Sequence, residues 1–372
     1  MRVLFFSDNT SDHNRRFLEK LAHARLDVWF FNPTSNQLPE SWLPAGVQWI
    51  QPSHIVDLSA EPAALVRLLE PFHRILAEIR PDLVHAGPTY NCGYVTALSG
   101  FHPWLLMSWG SDVLYETVHS PERLRATATA LKSADAFFCD CDAVRVRAMQ
   151  IANLAGDRIV QFPWGIQKGS YSSNGPLPTL DEFTREAETR VVVSTRSWEP
   201  IYGIQLLLNA FRKAYLADTR LRLVLMGGGS EARLVRNYIE VHGLQRAVYL
   251  PGKIARRDMP NWFRAADIYL SCSRSDGTSV SLLEAMATGL PVVVTDLPAN
   301  REWVTPDENG WLAAAQSPED FAAKILRAAE LNPAQRKQFS EYSQRLVEQR
   351  ADWDSNFPQL LKMYEQLTSI RF

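Results

Sequence analysis

Short runs rich in Val, Leu, Ile and Phe, each followed by a longer stretch with helical spacing, recur along most of this chain. That rhythm is the signature of repeated strand–helix–strand units, whose crossovers place the strands in a parallel sheet between layers of helix. In the first half the runs predict strands at Val3–Ser7, Asp27–Phe31, Leu83–Ala86, Leu105–Ser108, Ala136–Cys139 and Ile159–Phe162. Helical periodicity covers Asn14–Ala24 and Glu61–Ile79. Arg80-Pro81 ends the second of these, because the residue before a proline is pushed out of the right-handed α region.

The pattern stops between Lys168 and Arg190, where Gly169-Ser-Tyr-Ser-Ser-Asn-Gly-Pro-Leu-Pro is dense in turn formers and has no apolar period. It restarts with expected strands at Val191–Ser194, Leu223–Met226, Val248–Leu250, Ile268–Ser271 and Pro291–Thr295. The expectation is an α/β fold of two Rossmann-like, doubly wound domains, residues 1–168 and 190–350, joined by a linker at 169–189. An amphipathic tail, Asp352–Ile370 within 351–372, is expected to be a helix crossing back to the first domain. Ligands of such sheets bind at the carboxyl ends of the strands, here in a cleft between the domains.

A chain of 372 residues, 46% of them hydrophobic and 22% charged, can fill two cores. With 39 Lys+Arg against 41 Asp+Glu and a net charge of -2, it offers no electrostatic footprint for nucleic acid. The basic segment Lys253–Arg257 reads as a solvated face. Cys92, Cys139, Cys141 and Cys272 lack metal-site spacing and read as free thiols of a reducing cytoplasm. The apolar run after Met1 turns polar within seven residues, too short for a signal-peptide core, and no 18-residue apolar stretch occurs. A soluble, cytoplasmic protein is expected, and peripheral contact with a membrane surface is compatible with that. Asp140-Cys-Asp142 spells a metal-holding Asp-x-Asp pattern, but the pattern is short and common, and it is read as structural. No metal is expected.

The most informative segment is Ser273-Arg-Ser-Asp-Gly-Thr-Ser-Val-Ser-Leu-Leu-Glu-Ala-Met-Ala-Thr-Gly-Leu-Pro-Val-Val-Val-Thr-Asp296. A strand ends near Ser271, a glycine-containing polar turn follows, and a helix starts at Ser279 or Val280. The N–H groups of a helix start lack intrahelical partners and sit at the positive end of the dipole, so a phosphate is the natural guest. Asp276 stands in the loop beside that position and Glu284 about one turn into the helix. The competing reading makes Ser281-x-x-Glu284 a capping box that only satisfies the helix terminus.

The whole segment resembles the retaining glycosyltransferases of family 4, the "group 1" glycosyltransferases of GT-B architecture, with their E-x7-E segment followed by Ala-Met-Ala-x-Gly-x-Pro-Val-Val. Here the form is D-x7-E. The resemblance implies that Asp276 reaches the donor sugar's hydroxyls and that the backbone after it holds the diphosphate: Gly277, Thr278, Ser279 and Val280. It implies ribose binding for Glu284. Val192-Val-Ser-Thr-Arg196 looks like the family strand whose arginine clamps the diphosphate, a role that suits a permanently charged guanidinium fork. Tyr202-Gly203 replaces the family's Lys-Gly, which removes one expected cation, and Lys253 is the candidate to replace it.

Met226-Gly-Gly-Gly-Ser-Glu231 is similar to the family's glycine turn, giving Gly227 a donor-side role. Leu250-Pro-Gly-Lys-Ile254 is similar to the nucleobase-lining segment, giving one to Gly252 and Lys253. Pro298–Val304 and Asn309-Gly-Trp-Leu312 match the end of the same domain and are read as packing and turns. Arg80-Pro-Asp-Leu-Val-His85 and Ser108-Trp-Gly-Ser-Asp112 resemble N-terminal family motifs. There Trp109 stands where a histidine is usual and offers a face to a sugar ring, or is plain core; His85 is a ligand or a satisfied core histidine. His13, in a loop that replaces the family's glycine pair, approaches the diphosphate or is solvated. Phe162-Pro-Trp-Gly-Ile166 resembles the hinge, with Gln167 where Asp is common.

The resemblance thus implies transfer of a hexose-type sugar from a nucleoside-diphosphate donor, UDP-sugar favoured, to an acceptor hydroxyl with retention of anomeric configuration. The acceptor is a glycan, a lipid-linked glycan or a small molecule. No metal or further cofactor is implied, and the leaving diphosphate takes the acceptor's proton. The expected catalytic set is Arg196, Asp276, Trp109 and His85. A catalytically silent nucleotide-sugar-binding protein, an epimerase on the same fold and a glycosidase using Asp276 and Glu284 are the alternatives.

Overall fold

Strands buried on both faces read as continuous apolar runs because helices cover each side of a parallel sheet. The computed structural model describes residues 1–58, 61–167, 169–178 and 188–371. It divides into one unit of Met1–Phe162 with Ser355–Phe372 and a second of Pro163–Asp354.

The first unit holds β1 (Arg2–Ser7), β2 (Asp27–Phe31), β3 (Val47–Ile50), β4 (Leu83–Gly87), β5 (Trp104–Met107), β6 (Ala136–Cys139) and β7 (Ile159–Gln161). They lie in the order β3-β2-β1-β4-β5-β6-β7, and every pair is parallel. The second unit holds β8 (Arg190–Ser194), β9 (Leu221–Met226), β10 (Val248–Gly252), β11 (Ile268–Ser271), β12 (Val292–Thr295) and β13 (Gly310–Ala313). Its order is β10-β9-β8-β11-β12-β13, again parallel throughout. Strand order reverses beside β1 and β4 in one sheet and beside β8 and β11 in the other. Loops splay apart at these switch points and leave a crevice at the carboxyl ends.

Two strands escaped the sequence reading. β3 is four residues long at a sheet edge, too short to show a period. β13 opens on the glycine of Asn309-Gly310, a turn signal in the sequence, and in the structure a Cβ on Gly310 would lie 2.3 Å from the Val292 carbonyl oxygen. The helix expected over 61–79 is a 3-10 run, Pro62–Leu68, followed by an α-helix, Leu69–Ile79. Pro71 is the reason: its ring would meet the carbonyl of residue 67, so a new helix begins and keeps the proline in its first turn.

The tail is also split, into Trp353–Asn356 and Pro358–Thr368, with Pro358 opening the second piece. Within the first unit Phe357 packs on Phe17, ring centroids 6.2 Å apart. In the second unit Ile166 accepts from the Trp353 N–H at 2.9 Å, and its own N–H donates to the Ala351 carbonyl at 2.9 Å. Ile166 and Tyr171 belong to that unit's core, alongside Phe263, Tyr269 and Leu283. Of the expected linker, 179–187 lie outside the described residues.

Candidate functional site

Four loops of the second unit leave the carboxyl ends of adjacent strands, and three of them are tied together by backbone. The glycine turn after β9 is bound to the loop after β8: the Trp198 N–H donates to the Gly228 carbonyl at 2.9 Å, and the Glu231 N–H to the Trp198 carbonyl at 2.9 Å. Gly227, with φ 108°, presses on this loop, since a Cβ there would lie 3.1 Å from the Arg196 carbonyl oxygen. The Gly227 N–H donates to Gly252 at the end of β10, 2.8 Å away. Lys253 follows; a Cβ on Gly228 would lie 3.9 Å from its Cε.

Arg196 emerges from this framework at the switch point. Its Nη1 donates to Ser279 Oγ at 2.7 Å and to Ser281 Oγ at 3.3 Å. Its Nη2 pairs with Asp276 Oδ2 at 2.9 Å, the two side chains being 11% and 16% exposed. The guanidinium carbon lies 4.1 Å over the centre of the Tyr202 ring, a cation–π contact. Nε is buried without a hydrogen-bond partner among the described residues. Burial opposes the Arg196 charge, but Asp276, with Tyr202 and Tyr269, outweighs it and holds the guanidinium above its ordinary pKa. Burial pushes the Asp276 carboxyl above the usual range, with Arg196 and Ser273 pulling it back. The result is a cation locked in place with one donor unmatched, which is preorganisation for an anion.

The helix Val280–Thr288 supplies the neighbouring positive end. Its N-cap is Ser279, whose Oγ accepts the Leu282 N–H at 3.4 Å. The competing reading of Ser281 and Glu284 as a capping box is therefore not met, since the cap is Ser279. Ser281 Oγ instead meets Arg196 and, at 2.8 Å, the Tyr269 hydroxyl. Glu284 is 8% exposed, and its Oε1 accepts the Tyr171 hydroxyl at 2.7 Å. Thr278 and Ser279 are buried at the helix start, and Gly277 lies between Asp276 and them.

Tyr202 is the member of the cluster that sequence reasoning undervalued. It entered only as the absence of a lysine, yet its ring covers Arg196. Gly203 puts it there: with φ 63°, a Cβ would lie 2.2 Å from the Cys272 carbonyl oxygen, so only glycine lets this turn lie on the end of β11.

In the first unit, two of the expected residues come together. His13, in the first turn of the helix Asp12–His23, and Trp109, after β5, have ring centroids 6.4 Å apart. Asp112 fixes Trp109 by accepting its N–H at 2.9 Å, the Ser108 hydroxyl at 2.7 Å and, across to the loop after β4, the Thr89 N–H at 2.8 Å. At the switch point the Asp8 Oδ2 accepts from Asn91 Nδ2 at 2.9 Å.

His85 is a correction. It lies in mid-β4 with no exposed surface, 4.8 Å from Phe5 and 6.1 Å from Phe17 by ring centroids, and its Nδ1 lies 2.5 Å from the Tyr364 hydroxyl. Burial pushes its pKa down to about 3. It is a core histidine and cannot touch a ligand. Among the described residues no group of three or more His, Cys, Asp or Glu side chains is placed to hold a metal ion.

A doubly wound unit whose switch point carries a buried arginine beside a capped helix start can hold an anionic group at the carboxyl ends of its strands. The chain belongs to the group 1 glycosyltransferases: residues 180–346 match the family "Glycosyl transferases group 1", and residues 2–141 match "Glycosyl transferase 4-like". It is 26% identical over 223 residues to a phosphatidyl-myo-inositol mannosyltransferase of Mycolicibacterium smegmatis, covering 60% of this chain and 55% of that protein. It is 25% identical over 307 residues to a D-inositol 3-phosphate glycosyltransferase of Xylanimonas cellulosilytica, covering 74% and 71%. The match thus spans little more than half the length of the mycobacterial relatives.

The fold is also that of a sucrose-phosphate synthase from Thermosynechococcus elongatus, with TM-score 0.84, 19% identity and coverage of 99% and 100% of the two chains. Anabaena HepE in complex with UDP-glucose superposes with TM-score 0.78 at 18% identity, over 99% and 100%. These neighbours place the fold in the GT-B class. No described helix is long and apolar enough to cross a membrane.

Proposed function

We propose that this protein transfers a hexose-type sugar from a nucleoside-diphosphate donor, UDP-sugar favoured, to an acceptor hydroxyl with retention of configuration. The observation that carries the reading is the fixed Arg196 fork at the start of the helix Val280–Thr288. Negative charge develops on the β-phosphate oxygens as the glycosidic bond breaks. A guanidinium already desolvated and locked by Asp276, Ser279, Ser281 and Tyr202 meets that charge without reorganising. The first-turn N–H groups of the helix add donors beside it.

In this reading Asp276 holds a donor-sugar hydroxyl, Glu284 the ribose, and Gly227, Gly252 and Lys253 border the nucleotide. The cation and the helix start are the groups that stabilise the leaving diphosphate, and the diphosphate itself takes the acceptor's proton. UDP is favoured because the HepE neighbour is described with UDP and with UDP-glucose. Trp109 offers its ring face to a sugar, and the acceptor is a glycan, a lipid-linked glycan or a small molecule.

Slow donor hydrolysis tests this without an acceptor. Release of UDP from UDP-glucose that is lost in Arg196→Ala supports the transferase. UDP binding with no turnover of any nucleotide sugar tried sinks it in favour of a silent binding protein.

A further inference from the structure

Tyr269, in β11, has no exposed surface and packs in the core with Val193, Phe263 and Leu283. A phenol hydroxyl buried there must find its partners within the protein. It meets Ser281 Oγ at 2.8 Å and interacts with Ser271 as well. Ser271 Oγ lies 3.1 Å from Ser273 Oγ, and Ser273 bonds the Asp276 side chain. On the other side Ser281 Oγ accepts Arg196 Nη1 at 3.3 Å and lies 3.2 Å from Ser279 Oγ. Arg196 closes the circuit through Nη2, 2.9 Å from Asp276 Oδ2. The two ends set a direction for the hydrogens between them, because a guanidinium only donates and a carboxylate only accepts. In that direction Ser281 receives from Arg196 and gives to Tyr269, and Tyr269, Ser271 and Ser273 pass on towards Asp276. Hydrogen bonds aligned in this way polarise one another. Tyr269 is the link between the helix start, which carries Ser281, and the strand end and loop, which carry Ser271, Ser273 and Asp276.

We infer that Tyr269 is a positioning residue that, through Ser281, holds the Arg196 fork in place for the donor's β-phosphate. The inference rests on the reading above that Arg196 meets the diphosphate. A phenol has two side-chain torsions, and this one is wedged in the core, so its hydroxyl is a fixed point from which Ser281 takes its orientation. Without that hydroxyl Ser281 can turn away from Nη1, and the diphosphate must order the guanidinium as it binds.

The test compares calorimetric affinities for UDP and UMP, which differ by the β-phosphate. Tyr269→Phe keeps the ring and its packing, and a thermal unfolding curve verifies that. The wild type is expected to prefer UDP by about tenfold or more, as a hydrogen bond to a charged group contributes. Arg196→Ala is expected to abolish that preference. Tyr269→Phe is expected to narrow it about fivefold, through weaker UDP binding alone, with UMP held within about twofold. Ser281→Ala cuts the same bond from its other end and is read in the same way should Tyr269→Phe not fold. Adding Tyr269→Phe to Ser281→Ala should change the UDP affinity by less than about twofold, since both act through one contact. An undiminished preference in Tyr269→Phe while Arg196→Ala has none overturns the inference and leaves the diphosphate reading standing. So does an equal loss of UDP and UMP binding in Tyr269→Phe, or a further fivefold loss in the double variant. A preference that survives in Arg196→Ala overturns the diphosphate reading itself, and absence of UDP binding to the wild type overturns both.

Discussion

Replacing Arg196 with alanine should have two consequences that can be separated. The side chains of Arg196 and Asp276 are 11% and 16% exposed and 2.9 Å apart, so deletion strands a carboxylate in a largely desolvated pocket. Removing one partner of a buried pair costs about 3–5 kcal/mol. The remaining exposure puts the expected loss at about 3 kcal/mol, the low end. Loss of a preorganised donor to developing charge should lower kcat/KM about 10²–10³-fold, or about 3–4 kcal/mol at the transition state. The double variant Arg196→Ala with Asp276→Asn relieves the stranded charge. It should regain roughly half of the lost stability, because an amide is far less costly to bury than an unpaired carboxylate, and turn over no faster than the single variant. Urea unfolding reads the first quantity and initial rates of UDP-glucose consumption the second. Recovery of rate together with stability would refute the reasoning, because Arg196 would then act only as the counter-ion of Asp276.

Further outcomes follow from the same contacts. His85 has a folded pKa of about 3 against 6.5 when free, so below pH 6.5 the unfolded chain binds a proton that the folded one refuses. Stability is therefore fully present above pH 6.5 and lost as pH falls towards 3; at pH 5 the loss is about 2 kcal/mol. Urea titrations at pH 7 and pH 5 should show that slope flattened in His85→Gln, and an unchanged slope would remove His85 as its source. Gly203→Ala adds a Cβ 2.2 Å from the Cys272 carbonyl at a left-handed φ of 63° and should cost about 3 kcal/mol by chemical denaturation. Tyr202→Ala removes the ring 4.1 Å beneath Arg196 and should weaken UDP binding about fivefold by calorimetry, while Tyr202→Phe binds as the wild type does.

What could be read from the sequence, and what could not, follows the range of each signal. The segment from Ser273 to Asp296 is contiguous, so strand end, turn, cap and helix all leave local marks, and Arg196 follows a strand end directly. Contacts across long sequence distances leave none: nothing near Tyr171 announces Glu284, and nothing near Tyr364 announces His85. In a parallel sheet covered on both faces, a histidine at mid-strand and one at a ligand crevice look alike in a motif. The misread helix over 61–79 has a local cause in Pro71, whose missing N–H divides one apolar period into two turns of different pitch. Tyr202 was legible as a residue but not as a contact, because substitution of a cation by a ring says nothing of where the ring lies.

The central claim is that Arg196 and the helix starting at Val280 form a nucleoside-diphosphate site. Thermal unfolding of the purified protein with UDP, GDP, ADP or TDP, each with and without a chelator, tests it most directly. Saturation at about a hundred times Kd contributes about 2.7 kcal/mol, which should raise the midpoint roughly 5 °C or more. The account predicts such a rise with one nucleotide, UDP favoured, indifferent to chelator and absent in Arg196→Ala. No shift with any of the four, or an undiminished shift in Arg196→Ala, would contradict it.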